Sequence, residues 1–361
     1  PDSTILHDAE YSPLVYQGST WGNWSAGNLI IHQVEIETSP DETLKSAWID
    51  PFEPDIMAVY QDDRNQNQFI IRRYDRSGSL KQSFPIQRNR DTGLPLIRPF
   101  PSGGTLCLSP ESQTYRWISP TGESGAGSVF TGRRFDLEKK VLTGMNHQGD
   151  FYSLHMADRD VRNPNNVVLW RWKEEARPDS LLDLPLTIPY YFRIRDQIAL
   201  AVGTRDTGRL GAQEFREIFL DLTIPEIISW RRLRGMPRDV VLTADHNFLV
   251  YNGGIEVESV STSSPSLRFI PFESEVFIHT AFYKNQYLWI LATSAPVVDQ
   301  RGIRYPDFLL IRYRPSDGSL EKFILDLPPA RRVSGSFSQE KNVFLVTHDS
   351  GLSQFTLPAI P

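Results

Sequence analysis

Ile56-Met-Ala-Val-Tyr60 is the first of seven short apolar runs along this chain. The others are Thr105-Leu-Cys-Leu108, Phe151-Tyr-Ser-Leu154, Ile198-Ala-Leu-Ala-Val202, Phe248-Leu-Val-Tyr251, Tyr287-Leu-Trp-Ile-Leu291 and Val343-Phe-Leu-Val346. They recur at roughly 40–56 residues, the period range of propeller blades. Each is too short for a helix and reads as the second strand of a small antiparallel sheet. The repeat predicts an all-β fold, a seven-bladed β-propeller of four-stranded antiparallel sheets. In such a fold each blade is one supersecondary unit, and neighbouring blades share a core.

The strands of a blade are named A to D from the axis outward. Blade one runs from about Leu44 to Ile86, with Phe69-Ile-Ile-Arg-Arg-Tyr74 as strand C and Asp75-Arg-Ser-Gly-Ser79 as the C–D turn. Blade six repeats this closely in Phe308-Leu-Leu-Ile-Arg-Tyr313 and Pro315-Ser-Asp-Gly-Ser-Leu320. Gly78 and Gly318 supply the positive φ of a tight turn. Blade seven runs out of chain after its C strand, Leu352 to Leu357, and would leave an open edge. Leu29-Ile-Ile-His-Gln-Val-Glu-Ile36 is a strand pattern without a blade. It is expected to close the ring by completing the last blade, because pairing of the chain ends removes the edge. Residues 1–27 then form an N-terminal arm, and 28–361 a single propeller domain.

The formal net charge of −6 argues against nucleic acid as a partner. One cysteine, Cys107, excludes an internal disulfide and reads as a buried inert thiol. No apolar run reaches the roughly 18 residues of a membrane-crossing helix, so no membrane span is expected. The chain starts at Pro1, as either a processed mature form or a trimmed piece. Processing would place it outside the cytoplasm, in a periplasm or secreted.

Sorting charges by loop type predicts an asymmetry. The D–A links and B–C loops of a propeller emerge on one face. The links carry Arg88, Arg90, Arg133, Arg134, Arg231, Arg232, Arg331 and Arg332, with Arg234 and Arg238 nearby. These eight are the candidate anchors of a binding surface, since a guanidinium grips carboxylate, sulfate or phosphate bidentately. The competing expectation is a rim of ion pairs with aspartates of the B–C loops, such as Asp62 and Asp158, worth about 0–1 kcal/mol each. The longest B–C loop, Ala295 to Asp307, is a further candidate, because binding resides in long loops on rigid scaffolds.

No H-x-x-x-H or C-x-x-C spacing, G-x-S-x-G elbow or dinucleotide loop occurs, so no metal, cofactor or local catalytic motif is expected. His279, on an inner strand beside Thr280, is expected to be a satisfied structural histidine. Thr347-His-Asp349-Ser-Gly351-Leu-Ser353-Gln354 resembles the Asp-box of sialidases, with Gln354 in place of the final Trp. In that family the box is a fold element, and converging arginines bind a carboxylate. The resemblance spans fewer than ten residues and brings no nucleophile pair with it. The reading is a non-catalytic recognition scaffold that binds an acidic protein segment or an anionic glycan on its arginine-rich face. The alternative is a glycan-active enzyme, a sialidase-like hydrolase or polysaccharide lyase, with its site at the mouth of the channel.

Overall fold

The computed structural model describes residues 15–16, 36, 39–49, 55–65, 68–75, 77–87, 96–99, 104–109, 114–119, 124–128, 142–146, 148–156, 167–173, 178–207, 213–260, 266–299, 302–325, 327–337, 343–348 and 351–357. Every named strand is short, and each apolar run of the repeat is the second strand of a small sheet. A two-residue strand β1 (Val15–Tyr16) precedes the first blade, β2 (Glu42–Ile49), β3 (Ile56–Asp62), β4 (Gln68–Tyr74) and β5 (Leu80–Gln87). Blade two is β6 (Leu96–Pro99), β7 (Thr105–Ser109), β8 (Thr114–Ile118) and β9 (Ser124–Ser128). Blade three is β10 (Leu142–Met145), β11 (Phe151–Met156), β12 (Val167–Trp172) and β13 (Asp179–Leu184). Blade four is β14 (Ile188–Arg195), β15 (Ile198–Asp206), β16 (Gln213–Asp221) and β17 (Glu226–Arg232). Blade five is β18 (Asp239–Leu242), β19 (His246–Tyr251), β20 (Gly254–Ser259) and β21 (Leu267–Pro271), with β1 added in parallel on β21.

Blade six is β22 (Phe277–Lys284), β23 (Tyr287–Thr293), β26 (Phe308–Tyr313) and β27 (Leu320–Leu325). Its B–C connection forms a separate hairpin, β24 (Val297–Asp299) and β25 (Gly302–Arg304). The last sheet is β28 (Val333–Phe337), β29 (Val343–His348) and β30 (Gly351–Thr356). Among the described residues six sheets carry four or more strands and the last carries three, which gives six complete blades, not the seven expected. The strand meant to complete the last sheet, 29–36, lies outside the described residues except for Ile36. The arm 1–27 likewise lies outside them except for Val15 and Tyr16. Ile36 is buried in a cluster with Ile49 and Ile56 of blade one and Leu345 and Leu352 of the last sheet.

The chain divides into two compact units, residues 1–13 with 91–236 and residues 14–90 with 237–361. In the first unit, blade two packs on blade three through Leu106, Trp117, Phe151 and Trp172. Blade three packs on blade four through Leu154, Leu169, Phe192 and Ala201. In the second unit the first strands β18, β22, β28 and β2 touch in that order, so the last sheet lies against the first blade. Second strands are covered on both faces. Every residue of Phe151–Met156 and of Tyr287–Thr293 is buried. Continuous apolar runs follow from that double cover, whereas a half-exposed strand would alternate.

Two inner-strand amides are each satisfied by a side chain of a neighbouring blade. Asp239 of β18 is buried and accepts the Ala281 amide of β22 at 2.7 Å, while its other oxygen accepts Val240 N–H at 2.8 Å. Ser336 Oγ of β28 accepts the Ile49 amide of β2 at 3.0 Å. The outer strands of blades one, three and four each bulge by one residue, at Lys81, Leu181 and Ile228. A bulge disturbs the ladder pattern that another chain would need for pairing. At Lys81 it also aims the ammonium at buried Asp55, 2.8 Å away, which Arg73 Nε reaches at 2.8 Å as well. The matched C–D turns of blades one and six have the expected form, with Gly78 at φ 84° and Gly318 at φ 73°.

In blade four, Tyr190 bulges between Pro189 and Tyr191 and brings the Ile188 carbonyl over Gly203. A Cβ at Gly203 would overlap that oxygen and stand 3.1 and 3.2 Å from the two methyls of Leu186. Gly203→Ala is expected to destabilise the fold by ~1–3 kcal/mol, the usual range for overpacking a core. Urea unfolding followed by circular dichroism checks this, and an unchanged midpoint would contradict the packing.

Candidate functional site

The long B–C connection of blade six builds the most distinct surface feature among the described residues. Its neck is closed by Ser294, whose N–H donates to the Asp307 carbonyl at 3.2 Å and whose Oγ donates to Asp307 Oδ2 at 3.1 Å. The hairpin then pairs Val297 with Arg304, Val298 with Ile303 and Asp299 with Gly302. Gly302 has φ 109°, which a residue with a Cβ rarely adopts. Val297, Val298 and Ile303 are 54%, 75% and 54% exposed. Alternation puts Val298 and Ile303 together on one face, and Val297 with Arg304 on the other.

The loop is pinned where it returns. Tyr305 N–H donates to Ala330 O at 2.8 Å, and Ala330 N–H donates to Tyr305 O at 3.2 Å. This antiparallel bridge ties the B–C loop to the link that leads into β28. It sets Arg304 across from Arg331, with Arg332 next along the link, and both Arg331 and Arg332 are exposed. The Tyr305 ring meets His279 edge-on, with centroids 5.4 Å apart, and Phe277 at 5.9 Å. His279 is the bulged residue of β22, between the pairs Ile278–Ala292 and Thr280–Leu291. Its Nε2 lies 2.9 Å from Thr293 Oγ1. Burial pushes its pKa down to about 4, so the imidazole is neutral at pH 7 and serves as a fixed wall beneath Tyr305.

The predicted arginines fall into three groups. Arg88, Arg90, Arg133 and Arg134 lie outside the described residues. Arg231 and Arg232 belong to outer strand β17 rather than to a link. The Arg231 guanidinium is ion-paired to Glu217, a buried residue of β16 directly across the ladder, whereas Arg232 is exposed. The expected partners of such a rim arginine were loop aspartates, whereas this ion pair is to a strand glutamate of the same blade. Arg331 and Arg332 do lie in a link, at the Tyr305–Ala330 bridge. They belong to a different compact unit from Arg231 and Arg232.

Other candidate chemistry is built into the core. Cys107 is buried, and burial pushes its thiol up to about 12. Ser153 Oγ lies 2.6 Å from His155 Nε2 and accepts the Trp172 indole N–H at 2.7 Å. Both Ser153 and His155 are buried, and burial alone pushes His155 down to about 3, so this pair staples blade three internally. The segment resembling an Asp-box turns between β29 and β30, with His348 Nε2 3.0 Å from Ser353 Oγ and both residues buried. Asp349 and Ser350 lie outside the described residues. Among the described residues no group of three or more His, Cys, Asp or Glu is placed to hold a metal ion. No helix there is long and apolar enough to cross a membrane.

The sequence pointed to the 295–307 loop but not to strands within it. The signal present was Val297-Val298 and Ile303 around Gly302, a hairpin pattern too short to separate from a loop. The bridge to Ala330 left no sequence trace.

No protein-family model matches the chain, and no curated protein matches it by sequence. Solved structures match it by fold. Virginiamycin B lyase from Staphylococcus aureus aligns with TM-score 0.59 and 11% identity, covering 91% of this chain and 99% of that one. The WD40 domain of Neurospora crassa Pan2 aligns with TM-score 0.56 and 11% identity, covering 90% and 92%. BBS1N, solved in complex with ARL6, aligns with TM-score 0.53 and 8% identity, covering 91% and 98%. The fold is an all-β β-propeller of small antiparallel sheets.

The His279 shift has a defined pH consequence. Between pH 6.5 and about 4 the unfolded chain binds a proton at this imidazole and the folded chain does not. Stability from this group is complete above pH 6.5 and is lost as pH falls through that window. Urea unfolding of the His279→Gln variant is expected to show a shallower loss between pH 6.5 and 4, by up to ~1.4 kcal/mol per pH unit. Parallel slopes for the two proteins would contradict a buried neutral imidazole.

Proposed function

We propose that residues 28–361 form a non-catalytic propeller scaffold that recognises an acidic protein segment through arginines on its link and B–C loop face. The carrying observation is the Tyr305–Ala330 bridge. It places Arg304 across from Arg331, and exposed Arg332 follows, on a chain whose formal net charge is −6. Clustered guanidinium groups raise the local potential and suit carboxylates. Exposed Val297 beside Arg304, with exposed Val298 and Ile303 on the other face of the same hairpin, favours a protein over a glycan, since apolar residues next to charge are a feature of protein interfaces. Arg88, Arg90, Arg133 and Arg134 remain in the proposed surface on their sequence positions alone.

The propeller fold itself hosts both uses, as a lyase and as WD40 domains, so the reading rests on the site. The glycan-active enzyme alternative would call on His279. Its Nε2 is taken up by Thr293 and its ring by Tyr305, which fits a support and not a base.

The test is selection of a phage-displayed library of random 16-residue peptides on the full chain. Selected peptides are expected to be net acidic. The Arg331→Glu/Arg332→Glu variant is expected to bind them at least ten-fold more weakly, with fluorescence anisotropy as readout and intact folding checked by circular dichroism. Peptides without acidic bias, or undiminished binding by the folded variant, would overturn the proposal. A heparin-derived hexasaccharide bound more tightly than any peptide, and lost in the same variant, would replace it with the glycan reading.

A further inference from the structure

We infer that the β24–β25 hairpin is the apolar half of this binding site, and that its occupant is an extended acidic peptide segment with an aliphatic or aromatic side chain among its carboxylates. The inference rests on the scaffold reading and names the partner class of the same surface.

A two-stranded hairpin gains little from its own contacts in water, because neither face is covered. Among the described residues the sheet has two strands, and three of its side chains are aliphatic and more than half exposed. The cross-strand pair Val298–Ile303 makes one face a contiguous apolar patch. Three valine and isoleucine side chains held out in water are a cost that a solitary structural loop has no reason to carry. Scattered exposed aliphatics are ordinary, but these converge within a few residues of chain.

The hairpin is also held in place. The Ser294–Asp307 neck fixes its base, and the Tyr305–Ala330 bridge fixes its return strand to the link. Beneath the bridge, the Tyr305 ring leans on His279 and Phe277. A fixed hairpin loses little freedom when a partner docks, which favours affinity.

Charge selects the occupant. Register puts Val297 beside Arg304 on one face of the hairpin, with Val298 and Ile303 on the other, and the bridge carries the basic character from Arg304 on to Arg331 and Arg332. A segment crossing from Val297 to the link therefore meets aliphatic carbon first and guanidinium next. Carboxylates flanking one bulky apolar residue match that order. A second copy of this chain would have to bring its own arginines up against these, at a cost in like-charge repulsion, so it is the weaker occupant.

The experiment uses the peptides selected on the full chain. They are expected to share one Leu, Ile, Val, Phe or Trp within the acidic stretch. Replacing it by Ser in the peptide, or Val298→Ser/Ile303→Ser in the protein, is expected to weaken binding at least ten-fold by fluorescence anisotropy. Val298→Asp alone, at the most exposed of the three positions, is a second variant should the double one fail to fold, and is expected to weaken binding of acidic peptides similarly. If the hairpin variants bind as tightly as the parent while Arg331→Glu/Arg332→Glu does not bind, the inference falls and the scaffold reading stands. If both sets bind unchanged, both fall. Concentration-dependent dimerisation that the hairpin variants abolish, without any peptide effect, would assign the patch to a second copy and overturn the inference.

Discussion

Covering one strand of every blade on both faces is the constraint from which the rest follows. Strands such as Tyr287–Thr293 expose nothing, so each blade is stable only with neighbours against it. A blade alone would leave Trp289, Ile290 and Leu291 bare on both sides. Burying a large aliphatic or aromatic side chain is worth about 1.5–3 kcal/mol, and these clusters repeat from blade to blade. The same constraint makes the chain tolerant at its loops, because the core is made almost wholly by strand residues.

Edges are the price of building from small sheets, and the two kinds of edge are handled differently. Inner edges use a side chain of the adjacent blade, Asp239 for Ala281 and Ser336 for Ile49. Burial without such partners would strand donors in the core. Outer edges face water and need protection from foreign strands instead. Bulges at Lys81, Leu181 and Ile228 serve that end, and in blade five β1 occupies the outer edge of β21.

Three arginines of the described residues are architectural. Arg72 grips Glu42 through two bonds of 2.6 Å and lies over the Tyr60 ring. Arg216 pairs with Glu214 and covers Trp230, and Arg312 pairs with Glu321 beside Tyr287 and Trp289. A planar cation can satisfy a carboxylate at its edge and an aromatic ring at its face at once, which lysine cannot. Richness in arginine along the sequence is therefore a poor guide to a binding face. Arg331 and Arg332, at a bridge between two loops, differ from these in being exposed.

Hydrophobic pattern alone determined that the chain is a repeat of small β-sheets, and where each second strand lies, because double burial writes a continuous apolar run into the sequence. It also determined the matched turns of blades one and six, since Gly78 and Gly318 answer a local backbone demand. Pairing between distant segments was decided only by tertiary structure. The Glu217 partner of Arg231 and the Tyr305–Ala330 bridge both depend on which surfaces meet in space. A strand edge or a guanidinium accepts many partners of similar energy, so local sequence cannot choose among them. The site proposed at blade six is legible only once the loop has folded back onto the link, because its arginines and its valines come from segments about thirty residues apart.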